Sequence, residues 1–305
     1  MSGGLVCIVT GASSGIGWQV ARLLAGRGES VIGVGRDAKR CFEAAEAIRR
    51  LTGNPQVSYL TADLSSQTAI RELFHEIADR FERVDILINN AGMFTFRRAE
   101  SCDGVEMQFA VNYLAGFLLT GLLMPLLAKA PAARVVTTSS GSHFAGRIHW
   151  NDLMLQRSYN GLAAYDQSKL ATVLFTQELA RRFGSVTRIA SYAVDPGLVK
   201  TDIGAKGNNR LVRLAWRIRT RHGIPAEQAA GSLVFCAREP GAGGRSGLYW
   251  KKCISVPPSR AACRPDDARR LWELSEQLCD FSYVEATACR RDRSRTCPGR
   301  SRTRP

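Results

Sequence analysis

Tyr165 and Lys169 stand four residues apart, a spacing that in a helix sets two side chains on one face. A free phenol titrates near about 10 and is almost wholly neutral at neutral pH, but an ammonium within a few Å favours the phenolate and lowers that value. The spacing therefore predicts a tyrosine able to give or take a proton near neutrality. Such pairs also arise on ordinary helix surfaces, so the meaning of this one depends on what surrounds it.

A second cluster lies near the N-terminus. Residues 5–10 read as a short apolar strand that runs directly into Thr10-Gly11-Ala12-Ser13-Ser14-Gly15-Ile16-Gly17, which opens a helix. The glycines allow a tight turn and close backbone approach, so free amide N–H groups at a helix start can face a pyrophosphate. The spacing is not that of the commoner G-x-G-x-x-G fingerprint; position after the first strand gives it weight. The next strand ends in Val34-Gly35-Arg36-Asp37. A carboxylate at such a strand end would bond the ribose hydroxyls of NAD and repel a 2'-phosphate, whereas here Gly35 is followed by Arg36. The expected cofactor is NADP(H) rather than NAD(H). The competing reading makes Arg36 a solvated loop residue and Asp37 a helix cap.

Further apolar runs alternate with helical patterns and must position these groups. Strands are expected at residues 30–35, 57–60, 84–89, 134–138, 188–193 and 247–250, and helices at 16–25, 38–51, 68–81, 105–130, 163–183 and 265–277. That alternation predicts an α/β fold, a doubly wound parallel sheet of about seven strands with helices on both faces. A single domain over residues 1–281 fits the chain of 305 residues, of which 45% are hydrophobic and 23% charged. Nine Cys without a C-x-x-C pair argue against a disulfide framework and a zinc site, and favour a reducing, cytoplasmic setting. The start of the chain shows no basic leader and apolar core, so no signal peptide is expected. The longest apolar stretch, residues 114–130, is interrupted by Thr120, Gly121 and Pro125 and reads as a buried helix. Of the net charge of +15, residues 286–305 supply seven Arg against one Asp. With almost no large apolar side chain, this tail is expected to be disordered. No aromatic interleaving accompanies the charge, which speaks against dedicated nucleic-acid binding.

Together these features resemble the short-chain dehydrogenase/reductase family. Thr10 to Gly17 matches its glycine motif, Asn89-Asn90-Ala91-Gly92 its fourth-strand motif, Ser140, Tyr165 and Lys169 its active-site residues, and Pro196-Gly197 its loop after the sixth strand. Within the family the chain is most similar to the retinol-dehydrogenase-like branch, which includes the oxidoreductase domain of the WW-domain oxidoreductase. The features that carry this are the 25-residue separation of Ser140 and Tyr165, the run Ala164 to Leu170, and Gly247-Leu248-Tyr249-Trp250 followed by Leu271 to Ser275. The resemblance implies hydride transfer between nicotinamide and a lipophilic alcohol, aldehyde or ketone. Tyr165 would be the acid or base, Ser140 the donor to the substrate oxygen, Lys169 the group that lowers the tyrosine pKa, and Asn112 the holder of a water linking Lys169 to solvent. It implies cofactor contacts from Gly11, Ser13, Ser14, Gly15, Ile16, Gly17, Arg36, Asp63, Leu64, Asn90, Ala91, Gly92, Tyr165, Lys169, Pro196, Gly197, Val199 and Thr201.

Several readings stay open. Ser139 rivals Ser140, since a one-residue shift in strand register reverses side-chain direction; Ser140 is preferred. Thr10 and Asn89 are read as satisfying backbone groups between strands, and His143, in the Ser-Ser-x-x-His pattern of the branch, as structural. Residues 201–225 are expected to form a substrate lid, with a basic amphipathic helix making peripheral membrane contact as the alternative. The helices around Leu114 and Tyr165 are those through which many relatives pair as homodimers. A protochlorophyllide-type C=C reductase and a non-catalytic NADP-sensing regulator are the rival functions.

Overall fold

The computed structural model describes residues 4–184, 186–199, 223–239 and 246–283. Short runs rich in β-branched residues form seven strands: Val6–Thr10 (β1), Ser30–Gly35 (β2), Val57–Thr61 (β3), Ile86–Asn89 (β4), Ala133–Thr138 (β5), Ile189–Asp195 (β6) and Leu248–Lys251 (β7). They pair in parallel in the order β3-β2-β1-β4-β5-β6-β7. A two-residue strand, Ile254–Ser255 (β8), closes the β7 edge antiparallel and is one more than the sequence pattern predicts. Among the described residues the longer helices are Gly15–Ala25 (α1), Ala38–Thr52 (α2), Gln67–Arg80 (α3), Met107–Leu127 (α4), Gly161–Phe183 (α5), Ala226–Arg238 (α6) and Pro265–Cys279 (α7). Helix α6 is absent from the sequence-based expectation.

Alternation along each strand sorts its side chains between two cores. Ile8, Ile32, Leu87, Val135 and Ala193 pack with α3, α4, α5 and α7 on one face. Their neighbours Cys7, Val9, Val31, Ile86, Ile88, Val136, Tyr192 and Val194 pack with α1 and α6 on the other. Both faces being covered, the strands read as near-continuous apolar runs. The strand order reverses between β1 and β4, and in open α/β sheets a ligand crevice forms outside the carboxyl ends at such a point. The glycine loop after β1 and residues 90–92 after β4 both lie there.

Two features of α4 matter for the site. It contains a π turn, Ala110–Leu114, the kind of widened turn that recurs at functional positions, and Asn112 sits in it. It is also the described helix long and apolar enough to cross a membrane, and most of it is buried inside the protein, in keeping with the expected core helix. Helix α7 lies across α4 and α5. Trp272 contacts Phe117 at 5.1 Å and Tyr283 at 4.4 Å between ring centroids, while the Tyr283 hydroxyl donates to the Phe117 carbonyl at 2.6 Å. Tyr283 thus belongs to the core, two residues beyond the expected boundary at 281.

Candidate active site

The cofactor end of the crevice is built from backbone. Gly11 has φ +65°, and a Cβ there would stand 2.8 Å from the Ala91 Cα; a Cβ on Gly17 would stand 2.4 Å from the Gly11 carbonyl oxygen. No side chain but hydrogen fits at either position. Thr10 fixes the two loops together: its Oγ1 accepts from the Asn90 and Ala91 amides at 2.9 and 3.0 Å. The Asn90 side chain donates to the Thr10 carbonyl at 2.9 Å, whereas Asn89, expected to serve backbone between strands, instead donates to Thr120 Oγ1 on α4 at 2.9 Å. Tyr59, which sequence reasoning missed, props the loop by donating to the Ala12 carbonyl at 3.0 Å.

Ser13, Ser14, Gly15 and Ile16 lead into α1, whose first turn carries no acidic side chain. Its N-terminal amides therefore present uncompensated positive potential. At the end of β2, Gly35 packs so closely that a Cβ there would lie 3.2 Å from the Ser13 Cβ. Arg36, Lys39 and Arg40 follow, all exposed, and Asp37 caps α2 by accepting from the Arg40 amide at 3.0 Å. The end of β3 joins the same rim, because the Ala62 amide donates to the Gly35 carbonyl at 2.9 Å. Asp63 is exposed with its Oδ1 held by Ser65, and Leu64 is half-buried beside it.

The catalytic end is built from side chains. Ser139 is turned inward, donating to the Lys169 carbonyl at 3.2 Å, whereas Ser140 faces Tyr165 and accepts from the Ser142 amide at 3.2 Å. Tyr165 is half-buried on α5, its ring edge-on to Phe94 at 5.6 Å. Lys169 is buried, donates to the Thr138 carbonyl at 3.0 Å and lies 5.6 Å from the centre of the Tyr165 ring. Asn112 staples the loop after β4 to α5. Its Oδ1 accepts from the Met93 amide at 2.7 Å, and its Nδ2 donates to the Met93 carbonyl and to Ser168 Oγ, both at 3.0 Å. Asn112 Oδ1 and Lys169 Nζ border one space, 3.4 and 3.8 Å from where a Gly92 Cβ would be.

Electrostatics here departs from the expectation that Lys169 draws the tyrosine toward neutrality. Burial pushes the Tyr165 phenol up to about 12; the neighbouring Ser140 hydroxyl pulls it down, while Asp166 and Asp195 push it further up. The ammonium is itself desolvated, which brings Lys169 down to about 8, with Asp195 pulling back upward. Desolvation outweighs the pair attraction because the lysine bonds a carbonyl on β5 rather than the phenol. Asp195, also missed, ends β6 as a buried carboxylate: it pairs with Lys251 at 3.1 Å and accepts from the Gly197 amide at 2.8 Å. Its signal was an acid directly before Pro196. Gly197 has φ +82°, and Val199 is buried and bridges to Ile224. Thr201, most of the expected lid and the tail at 286–305 lie outside the described residues.

Comparison with known proteins fits this arrangement. The short chain dehydrogenase family model matches residues 5–211. The chain is 38% identical over 280 residues to retinol dehydrogenase 12 of Mus musculus, covering 92% of this chain and 88% of that one. It is 39% identical over 284 residues to retinol dehydrogenase 13 of Homo sapiens, covering 90% and 84%. The crystal structure of an uncharacterised protein from Mycobacterium paratuberculosis superposes with a TM-score of 0.72 at 31% identity, covering 92% of this chain and 95% of that one. The chain belongs to the short chain dehydrogenase family, in its retinol-dehydrogenase-like branch, and is an oxidoreductase that uses a nicotinamide cofactor.

Proposed function

We propose that this oxidoreductase is NADP(H)-dependent and moves a hydride between the nicotinamide and a hydrophobic aldehyde, ketone or alcohol, with Tyr165 as its acid or base. The observation that carries this reading is the convergence of Ser140 and buried Lys169 on Tyr165, at the carboxyl end of the same sheet that opens the glycine crevice. The crevice fits a dinucleotide: hydrogen alone is tolerated at Gly11 and Gly17, and α1 begins without an acid. Gly11, Ser13, Ser14, Gly15, Ile16 and Gly17 would hold the pyrophosphate, Asp63 and Leu64 the adenine, and Asn90, Ala91 and Gly92 the middle of the molecule. Pro196, Gly197, Val199 and Thr201 would hold the nicotinamide and Lys169 its ribose. Arg36, with Lys39 and Arg40 beside it, supports a 2'-phosphate and so NADP(H).

When bound, the nicotinamide supplies or accepts the hydride. Ser140 donates a hydrogen bond to the substrate oxygen, and Tyr165 transfers a proton to or from it. A phenol held up at about 12 is protonated at neutral pH, so the residues of the chain alone present the acid that carbonyl reduction requires. Lys169 carries its charge below about pH 8 and stabilises the negative charge that develops as Tyr165 gives up its proton.

Substrate class follows from what surrounds Tyr165. Among the described residues, half of the exposed large apolar side chains, Phe96, Phe144, Leu162 and Leu198, belong to the segments that follow β4, β5 and β6 and to the first turn of α5, at the carboxyl end of the sheet. Clustered exposed apolar surface marks a binding site, and a lipophilic carbonyl or alcohol, the class named in retinol dehydrogenases 12 and 13, suits it. Loss of NADPH absorbance would be followed against a panel of retinal, long-chain aldehydes, aromatic ketones and quinones. Turnover on a lipophilic carbonyl is expected. NADPH binding without turnover on any member would overturn the reading in favour of a cofactor-sensing protein.

A further inference from the structure

Behind Ser140 stands a histidine that the proposed chemistry does not use. His143 is fully buried. Its Nδ1 lies 2.8 Å from the Ser140 carbonyl oxygen, and its backbone amide donates to the same oxygen at 3.1 Å. On the other side, its Nε2 accepts from the Ser259 amide at 3.1 Å. These partners assign the tautomer. A carbonyl can only accept, so Nδ1 carries the hydrogen; an amide N–H can only donate, so Nε2 is the bare lone pair.

Ser259 is 116 residues away in sequence. It sits in a turn anchored to β7 through the Val256 amide, which donates to the Tyr249 carbonyl at 2.9 Å. The Tyr249 ring lies 4.5 Å from the imidazole, and Phe144 lies 4.2 Å from it. The loop that carries Ser140 therefore has a brace on its closed side, and the brace is a ring with one donor and one acceptor.

We infer that His143 is a positioning residue: as a neutral Nδ1–H imidazole bridging the Ser140 carbonyl and the Ser259 amide, it holds the Ser140 hydroxyl against Tyr165. This rests on the reading of Ser140 as donor to the substrate oxygen. A second proton on Nε2 would confront the Ser259 N–H with another donor and undo the bridge. The surroundings oppose that proton: burial lowers the imidazole pKa and so does Lys251 on β7, while the Ser140 carbonyl bond and Asp195 at the end of β6 raise it, with a net lowering. The brace thus stays intact at neutral pH and fails on the acid side.

Three substitutions separate the two bonds. Asn at 143 can place an amide N–H near Nδ1 but does not reach Ser259; Gln reaches the Ser259 amide but not the Ser140 carbonyl; Ala reaches neither. On whichever carbonyl the panel identifies, His143→Ala should lower kcat about tenfold with little change in KM for NADPH, and His143→Asn should recover most of the loss. His143→Gln should resemble His143→Ala. In a Ser140→Ala background, His143→Ala should cost less than about twofold more, because both act through one hydroxyl. The wild-type kcat should also fall on the acid side of the ordinary histidine range, a limb absent from His143→Asn. Gln equal to or better than Asn, or losses that multiply in the double variant, would overturn the inference. Nitrogen NMR of the imidazole decides it without turnover: an Nδ1–H ring that resists protonation is expected, and an Nε2–H ring, or one titrating like free histidine, overturns it. A wild-type protein that turned over nothing would count against the oxidoreductase reading, and the NMR would still judge the brace.

Discussion

The two ends of the crevice are made of different materials. The cofactor end is backbone: Gly11 and Gly17 approach Ala91 and one another within distances that exclude a methyl group, and the polar side chains there, Thr10 and Asn90, serve main-chain groups. The catalytic end is side chains, with Tyr165, Lys169 and His143 crowded into a space that unsettles their ordinary protonation and Asp195 paired with Lys251 at its edge. The first end therefore fails by steric intrusion and the second by loss of chemistry. Only the second is a place where removing a residue can leave the fold as stable as before, or more so.

The largest effect should come from Tyr165→Phe, which keeps the ring and the edge-on contact with Phe94 and removes the transferable proton. Turnover should fall by about 10²–10⁴ while NADPH still binds; its measurement is kcat against the cofactor Kd. Gly17→Val should break the other end instead. It presses a side chain on the Gly11 carbonyl, costs about 1–3 kcal/mol of stability and removes cofactor binding, read by thermal melting and NADPH titration.

Lys169→Met divides the comparison most cleanly. The lysine titrates at about 8 in the folded chain against an ordinary 10.5, so the unfolded chain holds more protons between those values. Folding stability on this account rises with pH through that window and is at its lowest below it. Met removes a buried charge and should leave Tm at pH 7 unchanged or higher, with turnover lost; a large fall in Tm would show that the bond to the Thr138 carbonyl outweighs the desolvation. Smallest is Arg36→Glu, with Lys39 and Arg40 remaining nearby. NADPH should weaken about tenfold against NADH, and an unchanged preference would return Arg36 to the status of a solvated residue.

Much of this was legible in the sequence because parallel strands and their helices announce themselves by period. The strand at Ser30–Gly35 starts and stops where the apolar run does. Helix α6 escaped although Ala229, Ala230, Leu233, Val234 and Ala237 hold a helical rhythm, because alanines make a weak apolar stripe. Strand β8 escaped because the turn before it, Lys252-Cys253, takes positive φ at both residues without the Asn or Gly that usually marks such a hairpin. At the site, residue types and order revealed Ser140, Tyr165 and Lys169 but not how their charges settle. The four-residue spacing of Tyr165 and Lys169 predicts an ammonium acting on a phenol; that the ammonium turns to Thr138 is a matter of tertiary packing. The pairing of Asp195 with Lys251 and the bridge from His143 to Ser259, the latter across 116 residues, are tertiary contacts that no local pattern encodes.

The most direct test of the central claim follows the hydride itself. NADPH deuterated at the transferable C4 position would be incubated with the active carbonyl from the panel and the product examined by mass spectrometry and NMR. One deuterium on the carbinol carbon with the wild-type protein, accumulating about 10²–10⁴ times more slowly with Tyr165→Phe that still binds the cofactor, is the predicted result. Label on an alkene-derived carbon, or cofactor bound with no label in any product, would contradict it.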